Sequence, residues 1–141
     1  MTAKSAQAIE LSVVVPAFNE SGNINALIER LCVALSAIEA SFEIIIVDDG
    51  SRDATWTELR NAALQRENVI GLSLSRNFGH QSALLAGLSR AQGQAIVSMD
   101  ADLQHAPEVL LLMWAAWKDG AQVVRTIRRD DGVASSSCVE A

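Results

Sequence analysis

Positive charge is scarce in this chain: 11 lysines and arginines face 17 aspartates and glutamates, for a net charge of −6. A protein that grips nucleic acid needs a basic surplus to neutralise phosphates, so general nucleic-acid binding is excluded. Binding one phosphorylated small molecule through a cation is not. Cysteine is also scarce. Cys32 and Cys138 have no metal-ligand spacing, and Cys32, among apolar residues of a predicted helix, reads as a small buried hydrophobe. Nothing calls for an oxidising compartment. Residues 1–10 lack the basic start and apolar core of a secretory leader. No apolar run approaches the roughly 20 residues that span a bilayer. These absences predict a soluble, cytoplasmic chain. No internal repeat and no linker interrupt residues 11–127. The G-x-G-x-x-G fingerprint of dinucleotide cofactors is missing too; the first strand–helix turn reads Asn19-Glu20-Ser21-Gly22.

What is present is an apolar half and a charged fifth in 141 residues, enough for one globular domain with a core. Strand and helix patterns alternate. Residues 11–16 (LSVVVP) and 42–47 (FEIIIV) are β-branched runs of buried strands. Residues 24–40 place Ile24, Leu27, Ile28, Leu31, Leu35 and Ile38 at helical spacing. A helix capped by Asp53 or Thr55 runs to about Arg66, followed by a strand over 68–74 and a short helix over 81–91. A fourth strand covers 94–99 and ends at Asp100. Pro107 suits the first turn of a helix that runs to Lys118, and a fifth strand is predicted over 121–127. Such alternation predicts an α/β fold: a mostly parallel sheet with helices on both faces. The predicted domain spans 11–129. Residues 1–10 read as a disordered N-terminal tail and 130–141 as an irregular C-terminal one.

In an open α/β sheet, ligands bind outside the carboxyl ends of the strands. Three polar clusters fall at such ends: Asn19 and Glu20 after the first strand, Asp48 and Asp49 after the second, Asp100 and Asp102 after the fourth. Five carboxylates at one edge repel one another unless a cation or a hydrogen-bonding ligand lies among them. Asp100 and Asp102, two residues apart as the chain leaves a strand, can turn towards one point. Such oxygen ligands suit Mg²⁺ or Mn²⁺, which take one or two carboxylates and complete their shell with water and substrate phosphates. The pair alone is a weak signal, because acidic pairs are common in turns.

Asp48-Asp49-Gly50-Ser51 admits two readings at once: a turn with Gly50 at positive φ, and an acceptor for a nucleobase N–H. Phe18 enters the core or walls a base pocket. His80 suits capping of the following helix better than contact with a phosphate. His105 fits the metal or the surface equally. Trp114 and Trp117 read as core or as contact for another segment. Arg125, Arg128 and Arg129 form a small basic group, solvated or facing a diphosphate.

Taken in order, the segments PAFNE (16–20), VDDGSRDAT (47–55), RNFGHQSALLAG (76–87) and MDADLQHAPE (99–108) resemble the family 2 glycosyltransferases with the GT-A nucleotide-sugar fold. The resemblance covers residues 11–129. It is strongest to the branch acting on polyprenyl phosphate, the dolichol-phosphate mannosyltransferases and bacterial undecaprenyl-phosphate sugar transferases. It implies that Pro16, Phe18 and Glu20 line the base and ribose pocket, and that Val47 and Asp49 contact the nucleoside. Asp100, Ala101 and Asp102 would face the diphosphate, with Asp100, Asp102 and Gln104 on Mg²⁺ or Mn²⁺ and Arg128 near the sugar diphosphate. The implied donor is a UDP- or GDP-sugar and the implied acceptor polyprenyl phosphate, with inversion, at the cytoplasmic face of a membrane. Full members carry their acceptor surface and catalytic aspartate in a further C-terminal part. This chain is therefore expected to be a GT-A domain truncated after about the fifth strand, binding donor but inactive alone. The alternative is a non-catalytic, truncated nucleotide-sugar-binding module or a subunit that needs a separate acceptor or membrane part; a membrane-associated partner or a homo-oligomer is the partner expected in either case.

Overall fold

A computed structural model describes residues 8–102, 107–129 and 136–140, the stretches 127–129 and 136–140 in backbone only. Strands β1 (Leu11–Ala17), β2 (Phe42–Asp48), β3 (Val69–Ser73) and β4 (Ala95–Ser98) form one parallel sheet in the order β3-β2-β1-β4. Helices α1 (Ile24–Ser36), α2 (Thr55–Gln65), α3 (His80–Arg90) and α4 (Val109–Lys118) connect and follow them. The predicted α/β class with helices on both faces is the observed one.

The continuous apolar runs of β1 and β2 follow from burial on two faces. Val13, Val15, Ile44 and Ile46 turn towards a large core shared with α1, α2 and α4. Val14, Ile45 and Val47 turn the other way, onto Ala83 of α3. From α1, Ile24, Leu27, Ile28, Leu31 and Leu35 are all buried, each contributing roughly 1.5–3 kcal/mol. On the opposite face α3 lies close against β1. A Cβ at Gly87 would sit 2.3 Å from Val14 Cγ1, so a larger residue there would force the helix outward.

Several boundaries differ from expectation. The first helix stops at Ser36 rather than near residue 40, although Ile38 stays buried beyond it. Residues 8–10, expected in the tail, are tied to the sheet: Ala8 O accepts the Ser41 hydroxyl, and Glu10 O accepts Ala95 N–H. The fifth strand does not extend the parallel sheet. It begins at Arg125, and β5 (Arg125–Arg129) pairs antiparallel with β6 (Ser136–Glu140), a strand within the stretch expected to be irregular. A nearby hairpin partner satisfies β5 at small loop-closure cost, whereas β4 offers only four residues of edge.

Trp114 and Trp117 are half-buried, with ring centroids 5.0 Å apart. They border an apolar cavity of about 300 Å³ beside β4. Cys32 is a free thiol packed against the main core, half-buried where full burial was expected. Among the described residues, no helix is long and apolar enough to cross a membrane.

Candidate functional site

The strand order decides where a ligand can sit. From β1 the chain moves outward to β2 and β3, then returns to pair β4 on the other side of β1. The crevice above the carboxyl ends of β1 and β4 is therefore the topological switch point, where open α/β sheets bind ligands. Residues 16–20 leave β1 on one side of it, and residues 100–102 follow β4 on the other.

The loop after β1 is stapled to the start of α2. Asn19, at φ 53°, accepts Arg52 N–H on its side-chain oxygen and donates its own N–H to Ser51 Oγ. Glu20 N–H donates to Thr55 Oγ1, and Ser21 N–H to Asp53 Oδ2. Glu58 accepts the Gly22 N–H. The Thr55 hydroxyl and Thr55 N–H both donate to Asp53. Chiefly through that hydroxyl, the Asp53 carboxyl is held below the ordinary carboxylate value. These bonds hold the loop in a strained turn before any ligand arrives.

Asp48, the last residue of β2, and Asp49 just past it are both buried, and both bind backbone. Asp48 Oδ1 accepts Ser51 N–H, which closes the turn. Asp49 takes the N–H groups of Phe78 and Gly79 at 2.8 and 3.1 Å, with Asn77 Nδ2 at 3.3 Å. Asp49 thereby fixes the loop entering α3. Gly50 has φ 68°, as its turn required, and a Cβ there would lie 2.3 Å from the Arg76 carbonyl carbon. Only glycine lets the two loops meet so closely.

Three cavities lie side by side along this edge. One, of about 240 Å³, is lined by Pro16, Ala17, Phe18, Asp49, Asn77, Gly79 and His80. The middle one, of about 190 Å³, is lined by Pro16, Phe18, Glu20, His80, Asp100, Ala101 and Asp102. The third, of about 230 Å³, begins at His80 and Asp100 and continues over Leu84, Val97, Met113 and Thr126. Pro16, Phe18, Glu20, Asp49, Asp100, Ala101 and Asp102 thus line adjoining cavities. Phe18 is 44% exposed, so it is a wall and not core. Val47 is fully buried against α3 and lines none of the three cavities. Gln104 and His105 lie outside the described residues. Arg128 falls on β5, with its side chain outside the described ones.

Two participants were missed or misread. Asn77 was not singled out, yet it donates to Asp49. His80 does not cap α3: Gly79 occupies the cap position, and no side chain bonds there. The imidazole instead lines all three cavities, its Nε2 3.9 Å from Asp100 Oδ1. A Gly-His step before a helix was the available signal. The reach to Asp100 depends on α3 starting at the edge where β4 ends.

Asp100 and Asp102 fit a Mg²⁺ or Mn²⁺ ion of the open kind. Both line the middle cavity, and the Asp100 side chain is 55% exposed. Among the described residues no three acidic, histidine or cysteine side chains are grouped to cage a metal. An ion held by one or two carboxylates, with water and ligand phosphates completing its shell, suits that donor set.

Residues 12–137 match the sequence family described as glycosyl transferase family 2. The chain belongs to this family. Among similar proteins, glycosyltransferase YkcC of Bacillus subtilis is 42% identical, over 85% of this chain and 37% of its own length. The undecaprenyl-phosphate 4-deoxy-4-formamido-L-arabinose transferase of Proteus mirabilis is 38% identical, over 86% of this chain and 37% of its own length. This family 2 domain thus spans little more than a third of these relatives. Among solved structures, S. aureus TarS 1-349 in complex with UDP-GlcNAc superposes with TM-score 0.61 at 25% identity, covering 79% of this chain and 31% of that one. A mannosyltransferase from Pyrobaculum calidifontis, in complex with GDP-Man and Mn²⁺, shares the fold at TM-score 0.65 and 24% identity, over 85% of this chain and 36% of that one. The sheet and its helices are the GT-A arrangement.

Proposed function

We propose that this domain binds the nucleotide-sugar donor of a glycosyltransferase that delivers a sugar to polyprenyl phosphate. The observation that carries the proposal is the convergence of Phe18, Asp49, Glu20, Asp100 and Asp102 on adjoining cavities at the switch point. Phe18 and Asp49 offer an aromatic wall and an acceptor to a nucleobase. Asp100 and Asp102 face the neighbouring space, where the diphosphate would lie. Mg²⁺ or Mn²⁺, when bound by these two carboxylates, would offset the charge of the diphosphate. A relative that uses undecaprenyl phosphate and a neighbour that binds UDP-GlcNAc support the substrate classes.

In the proposed reaction an acceptor phosphate oxygen attacks C1 of the sugar. The bond from C1 to the diphosphate oxygen breaks with inversion, and the nucleoside diphosphate leaves with the electron pair. The acceptor is already an anion, so no strong base is required. In-line positioning of the acceptor supplies much of the rate. We assign that task to the part of the relatives' length that this chain does not match, so the 141 residues alone should bind donor without transferring it.

Titration with UDP- and GDP-sugars, with and without Mn²⁺, tests the reading. Binding that strengthens with Mn²⁺ is expected. A folded chain that binds neither donor overturns it, as does unchanged affinity in Asp100→Ala/Asp102→Ala.

A further inference from the structure

The middle cavity has an electrostatic problem. Glu20, Asp100 and Asp102 supply three carboxylates to it. Pro16, Phe18 and Ala101 carry no side-chain hydrogen-bonding group. A diphosphate entering that space meets like charge. A cation offsets part of it, but oriented donors are still needed. Among the described residues that line that cavity, His80 alone carries a side-chain donor.

Its position is fixed from behind. Asp49 holds the N–H groups of Phe78 and Gly79, so the backbone is set up to the residue before His80. The imidazole is not engaged in capping α3. Its Nε2 lies 3.9 Å from Asp100 Oδ1, beyond hydrogen-bond length. The ring therefore stands beside Asp100 with a donor to offer, at the junction of the base-side, middle and third cavities.

Resting on the donor-site reading above, we propose that the His80 imidazole donates a hydrogen bond to the β-phosphate of the bound nucleoside diphosphate. His80 thereby discriminates diphosphates from monophosphates. The link from Asp49 through the loop at residues 77–79 to His80 couples the base-side aspartate to phosphate recognition.

The test is calorimetric titration of the 141-residue chain with UDP, GDP, UMP and GMP, in Mn²⁺ and in EDTA, for wild type, His80→Ala and His80→Gln. Thermal unfolding of all three should coincide, because the side chain is largely exposed and caps nothing. His80→Ala should weaken UDP or GDP binding by roughly tenfold or more, in both Mn²⁺ and EDTA. It should leave UMP and GMP within about twofold. His80→Gln, whose amide also donates, should recover part of the loss. Unchanged diphosphate affinity in His80→Ala overturns the proposal and leaves the donor site standing. Equal losses for mono- and diphosphates overturn it too, and so does a complete failure of His80→Gln to recover. A folded wild type that binds neither UDP nor GDP overturns the donor site and this proposal together.

Discussion

Glu43 near the start of β2 and Asp49 just past its end are both buried carboxylates, yet they sit in opposite kinds of surroundings. Glu43 Oε1 accepts the Ser12 hydroxyl at 2.7 Å and Gln92 N–H at 2.8 Å, while Ser12 Oγ accepts Gly93 N–H. That network ties β1, β2 and the turn into β4 together, and it borders none of the cavities at the carboxyl edge. Asp49 also accepts backbone N–H groups and the Asn77 amide, but it lines open space shared with Phe18 and His80. Further along the same edge, Asp100 stays half exposed. The comparison separates two uses of an acid. Where the fold supplies the donors, the acid is a fastener; where carboxylates line open space, they stay accessible to water, a cation or a ligand.

The largest effect is expected at the residue that does both. Asp49→Ala strands the N–H groups of Phe78 and Gly79, and should cost about 3 kcal/mol in urea unfolding, with loss of donor binding. Next comes the exposed pair. Asp100→Ala/Asp102→Ala should weaken Mn²⁺-dependent donor binding by roughly 100-fold, about 2.8 kcal/mol, while unfolding shifts by no more than about 0.5 kcal/mol. A large stability loss in this variant would break the contrast with Glu43. Third, Glu43→Ala should cost about 2 kcal/mol in unfolding and leave donor affinity within about twofold. Reduced donor affinity in a folded Glu43 variant would show that the two ends of the sheet are not independent.

The smallest effect is in acid. The folded Asp53 carboxyl is lowered, mainly by the Thr55 hydroxyl. A lowered group contributes stability above its unfolded value and loses it as pH falls through its folded value. The destabilisation caused by Asp53→Ala should therefore be larger at about pH 7 than at about pH 2, as read by urea unfolding of both proteins. An equal or larger cost in acid would sink that account.

Much of the site was legible before the fold was known, for a local reason. A run such as FEIIIV announces a buried strand, and the acids after it announce that strand's carboxyl end. The placement of Glu20, Asp48, Asp49, Asp100 and Asp102 followed from that, whereas Phe18 and the choice of Asp49 over Asp48 came with the family resemblance. The commitments of Asp49 were not legible, because its partners Phe78 and Gly79 belong to another loop and offer only backbone N–H groups, which leave no trace in side-chain chemistry. His80 was misread for a related reason: capping is a local property, while nearness to Asp100 is not. The β5–β6 ribbon escaped because Ser136–Glu140 has no clear alternation.

The sequence by itself determined the alternation of strand and helix, the two-sided burial of β1 and β2, and the placement of acids at strand ends. It also carried the family resemblance. Periodicity and turn chemistry act over a few residues, so they can be read in order along the chain. Only the tertiary structure decided that β4 lies beside β1, that the loop after β1 is held by the start of α2, and that His80 stands between Asp49 and Asp100. Those outcomes depend on crossovers and hydrogen bonds between segments tens of residues apart, which no local pattern specifies.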